Sequence, residues 1–122
     1  MTGTLDMIDK LLVDLKNVGG VMACAAASRD GLLIRSLMQK EQYVESLAAM
    51  SATMLGAAET ATIHAEMGIP TRVIVESDIG KLIVEGAGPK ALLILLANKD
   101  SGLGLILLEL DRSSQKLKEI LK

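Results

Sequence analysis

Aromatic side chains are almost missing from this sequence: there is no Phe, no Trp and one Tyr, Tyr43. A core must therefore be aliphatic, built from Leu, Ile, Val, Ala and the adaptable Met. The same lack removes the stacking platform that single-stranded nucleic acid needs. Positive charge is not in excess either. The net charge is −2 with the bases scattered, which gives no basis for attraction to nucleic acid. One cysteine, Cys24, excludes an internal disulfide and a structural zinc set within one chain, and it fits a reducing, cytoplasmic setting. The apolar runs at 91–97 and 103–110 are too short to span a bilayer. Met1–Asp6 has no basic region before an apolar run, so no signal peptide is read there.

Catalytic patterns are equally thin. The only histidine gives His64-Ala65-Glu66, which imitates half of a deaminase motif whose P-C-x-x-C companion is absent. With one histidine, Ser28 and Asp30 lack a base partner for a Ser-His-Asp site. Gly86-Ala87-Gly88-Pro89-Lys90 lacks the spacing of a phosphate loop and precedes a strand, so it reads as a hairpin turn. No enzyme, no metal and no cofactor is expected.

What is present is a well-punctuated order of elements in 122 residues, enough for one domain over 1–122. Leu5, Ile8, Leu11, Leu12, Leu15 and Val18 recur at helical spacing with Asp and Lys between them, and Gly19-Gly20 stops that helix. Val21–Ser28 and Leu32–Leu37 flank Arg29-Asp30-Gly31 and read as a hairpin. The alanines of the first strand suit a sheet packed by helices on both faces. After a long central helix, Pro70 blocks continuation. Thr71–Ser77 and Lys81–Glu85 form a second hairpin. Ala91–Ala97, almost wholly apolar, belongs in the middle of the sheet. The final helix starts at about Leu103 on the simpler reading, or after Leu110. The expected fold class is α/β (α+β): helix-strand-strand-helix-strand-strand-strand-helix, with a five-stranded, mainly antiparallel sheet. The central helix covers one face and the terminal helices the other.

The central helix, read over 41–67, is the unusual element. About half of it is Ala, Gly, Ser or Thr, and it has no Lys or Arg, although solvent-facing helices normally carry long charged residues. At about 100° per residue, Tyr43, Leu47, Met50, Met54, Ala58, Ala61 and Ala65 share one face, assigned to the sheet. Glu45, Ala49, Ala52, Gly56, Glu59, Thr60 and Ile63 point away. Ala48, Ala52, Gly56 and Thr60 repeat every fourth residue, which permits close approach of another backbone. The alternative is that the chain's own first or last helix covers this face.

The order of elements, with Ser28-Arg29-Asp30-Gly31-Leu32-Leu33-Ile34, the Ala-rich helix, the Val73–Glu85 hairpin, Ala91–Asn98 and a final helix opening at Gly102-Leu103-Gly104, resembles the roadblock / dynein-light-chain family over nearly the whole chain. The resemblance implies a non-enzymatic homodimer or heterodimer that regulates or scaffolds a small Ras-like GTPase without an arginine finger of its own. In that family the central helices and the following strand form the dimer, and the paired helices offer the GTPase a platform. On this basis the dimer interface is assigned to Ala48, Ala52, Leu55, Glu59, Arg72, Ile74 and Glu76. GTPase binding is assigned to Glu45, Ala49, Ala52, Thr53, Gly56 and Thr60.

Within Thr71–Ser77, a twofold axis at Ile74 would set Arg72 against Glu76 of a second copy and Val73 against Val75. The alternative is that the pattern serves pairing with Lys81–Glu85 in the same chain. A small-ligand sensor module under the central helix and a purely structural dimerisation subunit are the competing functions.

Overall fold

The computed structural model describes residues 3–38 and 43–122. Its elements are α1 (Thr4–Lys16), β1 (Val21–Ser28), β2 (Leu33–Leu37), α2 (Val44–His64), β3 (Arg72–Glu76), β4 (Gly80–Ala87), β5 (Ala91–Asn98) and α3 (Leu103–Ile120). The strands form one sheet in the order β2-β1-β5-β4-β3, and every pairing is antiparallel. The apolar β5 lies in the centre, and α3 begins at Leu103. The first two positions of the helix read over 41–67 lie outside the described residues.

Alternation along the central strands sends successive residues to opposite faces. Cys24, Ala26, Ile83, Leu93 and Leu95 meet Ile8, Leu12 and Leu15 of α1 and Ile106, Leu110 and Leu117 of α3. Ala25, Ala27, Val84, Leu92 and Ile94 meet Ala48 and Leu55 of α2. The alternative in which a terminal helix covers α2 is thereby excluded, because α1 and α3 pack on the far side of the sheet.

The β1–β2 turn, Ser28 to Gly31, closes with Ser28 N donating to Leu32 O at 2.9 Å and Leu32 N donating to Ser28 Oγ at 3.1 Å. Gly31 has φ +87°, and a Cβ there would lie 2.9 Å from Cα of Ala49, so this turn presses directly on α2. At its other end α2 stops at His64. Glu66 takes a left-handed conformation (φ 58°), Met67 N donates to Thr62 O and Glu66 N to Ile63 O. This left-handed cap satisfies the last carbonyls and ends the helix before Met67, where the sequence reading had put its end.

Candidate functional site

Two surfaces meet along one side of the molecule: the outer face of α2 and the free edge of β3. The line of α2 that touches the sheet is Val44, Ala48, Ser51 and Leu55, all buried. This corrects the face assignment by about one residue's turn of the helix, ~100°. Tyr43 and Met50, assigned inward, are each 59% exposed, and Ala61 and Ala65 are exposed as well. Leu47, Met54 and Ala58 are half-buried. Ala48 and Leu55, assigned to a dimer interface, are consumed by the chain's own core.

The reason is volume. Val84, Leu92 and Ile94 rise from the sheet, and the β1–β2 turn crowds Ala49, so the helix packs through Val44 and Leu55 with the small Ala48 and Ser51 between them. Apolar residues are spread around the whole of α2, so its periodicity carried little orientation.

The exposed side of α2 is Ala49, Met50, Thr53, Ala57, Thr60, Ala61, Ile63 and His64. From Ser46 to His64 there is no Lys or Arg, and the one carboxylate is Glu59. The threonines lose polarity as well: Thr53 Oγ1 donates to Ala49 O at 3.0 Å and Thr60 Oγ1 to Gly56 O at 3.2 Å. Ala49, Met50, Thr53 and Met54 line an apolar recess of about 340 Å³. Of the assigned platform, Glu45, Ala49, Thr53 and Thr60 are exposed, Gly56 is half-exposed, and Ala52 is half-buried beneath Gly31. A Cβ at Gly56 would touch nothing in this chain, so the fold itself does not require the glycine.

Glu59 is not a free surface group. Arg29 Nη1 donates to both of its oxygens at 3.2 and 3.1 Å, while Arg29 Nε donates to Gly88 O at 3.1 Å. Arg29 thus ties the β1–β2 turn, α2 and the β4–β5 turn together.

β3 pairs with β4 along one edge, in the register Arg72↔Glu85, Ile74↔Ile83 and Glu76↔Lys81. The intrachain alternative for Arg72 is therefore realised. Its Nε donates to Glu85 Oε1 at 2.8 Å and its Nη2 to Asp111 Oδ1 at 2.6 Å. Ser114 Oγ donates to the other oxygen of Glu85 at 2.8 Å. Burial pushes the Glu85 carboxyl above the usual carboxylate range, and the nearby Asp111 pushes the same way, against the bonds from Arg72 and Ser114. Burial also works against the charge of Arg72, but the bonds to its two carboxylates outweigh it and raise its pKa. The second edge of β3 faces no other strand among the described residues, Ile74 is 38% exposed, and Glu76 is exposed.

Neither Arg29 nor Asp111 was legible as a partner of these residues, since the pairings span 30 and 39 positions of sequence.

Cys24 is buried and its Sγ donates to Leu12 O at 3.3 Å. Burial raises its pKa to about 12, so the thiol stays protonated and inert. Among the described residues no group of three His, Cys, Asp or Glu is gathered as a metal site, and no helix is long and apolar enough to cross a membrane.

The Roadblock/LC7 domain family model matches residues 7–97. The chain is 30% identical over 112 residues to the uncharacterized protein MJ1340 of Methanocaldococcus jannaschii, covering 92% of this chain and 97% of that one. Among solved structures, a Roadblock/LC7 domain from Streptomyces avermitilis superposes with a TM-score of 0.86 at 23% identity, covering 93% of this chain and 96% of that one. MglB of Myxococcus xanthus superposes with a TM-score of 0.87 at 19% identity, covering 96% and 89%. At these identities the structural likeness establishes the fold.

Proposed function

The chain belongs to the Roadblock/LC7 domain family, and on that premise we propose that it is a non-enzymatic, homodimeric regulator or scaffold of a small Ras-like GTPase. The observation that carries the reading is the outer face of α2, which is exposed yet uncharged from Ser46 to His64 apart from the tethered Glu59. Such a face lies beside an unpaired strand edge, and an edge of this kind is a template for pairing with another chain. In the proposed dimer the β3 edges join about Ile74, with Arg72 near Glu76 of the second copy, and the α2 faces form one platform. Arg72 uses Nε and Nη2 within its own chain, so its Nη1 is the group offered to Glu76. A guanidinium beside the platform, Arg29, is engaged by Glu59 and Gly88, which supports action by docking rather than by an inserted arginine.

The residues proposed for the GTPase are Glu45, Ala49, Thr53, Gly56 and Thr60, joined by Met50. Ala48 and Leu55 are dropped from the dimer contact. The 122 residues act as one roadblock-like unit in the cytoplasm, without nucleic acid or membrane insertion. A sensor site beneath α2 has less support, because that space is filled by Ala48, Leu55, Val84, Leu92 and Ile94.

The test is binding and single-turnover GTP hydrolysis of a Ras-like GTPase from the same cell, with and without this protein. Thr53→Arg, on the exposed middle of α2, is expected to weaken GTPase binding at least tenfold with an unchanged melting temperature. Undiminished binding by that variant would sink the platform.

A further inference from the structure

Among the described residues the sheet ends in two free edges, and they are finished differently. β3 pairs with β4 from Arg72 to Glu76 without a break in register. β2, at the opposite edge, is interrupted. Arg35 stands opposite Ala26 and Leu33 opposite Ala27, so Ile34 is an extra residue with no partner in β1. Such a bulge bends its strand and strengthens the local twist.

The bulge also decides where a charge goes. Strand alternation would send Ile34 and Arg35 to opposite faces. Instead Ile34 packs against the α1/α3 core, and Arg35 reaches α1 on the same face, its Nε 3.2 Å from Asp9 Oδ1. Leu33, on the other side of the strand, meets the α2 core. A recess of about 290 Å³ lies against β2, and Asp9, Arg35 and Glu45 bring three charges to its lining.

A strand added at this edge would have to follow a bent template and strip water from charged groups, which is costly. Two copies of β2 paired about their central residue would also set Arg35 against Arg35, and like charges directly opposite are destabilising. At β3 the register is unbroken, and the same operation sets Arg72 near Glu76 instead.

We infer that β2 is a guarded edge: the bulge at Ile34 and the charge of Arg35 close it to strand addition by a second copy, so the sheet extends through β3 alone. A chain with two self-pairing edges would add copies without end, because each new copy presents a fresh edge. One open and one closed edge stop growth at a pair. The pair rests on the β3 seam proposed above; the guard at β2 does not.

Deleting Ile34 joins the two stretches of register on either side of the bulge, and Arg35→Thr removes the charge. By sedimentation, the chain carrying both changes is expected to show a weight-average mass at least twice that of the unaltered chain, rising with concentration. Arg35→Thr alone, which keeps Ile34 in the core, is expected to show a smaller rise, and it carries the test if the deletion prevents folding. An unchanged mass in the folded variants overturns the guard. With Ile74→Lys added to both changes, β3 is closed by charge, and the chain is expected to form pairs and nothing larger. Monomers or larger assemblies in that background mean that growth used another surface, and the guard is wrong. If the unaltered chain is monomeric, the β3 seam falls, while pairing of the chain without its guard still upholds the closed edge at β2.

Discussion

The two faces of the sheet are built to different standards. The α1/α3 face is closed by large aliphatic side chains from three directions, Ile8, Leu12 and Leu15, then Ile106, Leu110 and Leu117, against Leu93 and Leu95. Its edge is tied by the Arg72–Glu85–Asp111–Ser114 cluster. The α2 face is thinner, with Ala25, Ala27, Ala48 and Leu55 taking much of the contact. Among the described residues, its polar tie from α2 to the rest of the chain is the Arg29–Glu59 pair, and the hydroxyl of Ser51 is buried with no partner. One face is a completed core. Both faces leave apolar side chains outside, Leu5, Val13, Leu105 and Leu108 on α1 and α3 and Met50 and Ile63 on α2, but α1 and α3 set Lys and Arg among them and α2 does not, as a surface does when a second body completes it.

This contrast can be broken by truncation. Leu12→Ala, in the α1/α3 core, is expected to lower unfolding free energy by about 4 kcal/mol, within the usual 2–5 for a buried leucine. Leu55→Ala, under α2, is expected near the lower end, about 2 kcal/mol, because a lightly tied helix can settle into the space. Equal losses in chemical denaturation would show that the α2 face is packed as rigidly as the other.

A smaller effect of opposite sign is expected at Ser51. Its oxygen is desolvated without a hydrogen bond, a situation that costs about 1–3 kcal/mol. Ser51→Ala is therefore expected to stabilise the protein by about 1 kcal/mol, measured as a shift in denaturation midpoint. A loss would mean that the hydroxyl has a partner in solution.

The smallest effect is a pH dependence on the opposite face. Burial raises the Glu85 carboxyl in the folded state, so the folded protein holds that proton more readily than the unfolded chain. Its contribution to stability is then fully present below the unfolded value and is lost as pH rises through the raised folded value. Relative to Glu85→Gln, the unaltered protein is expected to lose stability as pH climbs out of the ordinary carboxylate range. A gain over that window would mean that Arg72 overrides burial.

Much of the architecture follows from local rules. The one-sided pattern of Leu5 to Leu15, the Asp-Gly turn, the uninterrupted apolar run of β5 and the start of α3 at Leu103 each depend on neighbours in sequence, and each is found where those rules put it. The absence of long charged residues from α2 was equally plain, because composition does not depend on orientation.

The rotation of α2 was not legible. A helix with apolar residues all round has no single preferred face, and the choice fell to the shape of the sheet beneath, where Leu92 and Ile94 pack with Ala48 and Leu55 while Met50 stays outside. Nor could Arg72 be assigned between chains by pattern alone: opposite charges at matching register suit Glu76 of a second copy or Glu85 of the same chain equally well, until folding brings Glu85 and Asp111 within 2.8 and 2.6 Å. Sequence determined the elements and the uncharged character of one helix, because those are short-range properties. Tertiary structure decided which side of that helix is outside and where its charges are tied, because packing and ion pairing join residues that the chain keeps far apart.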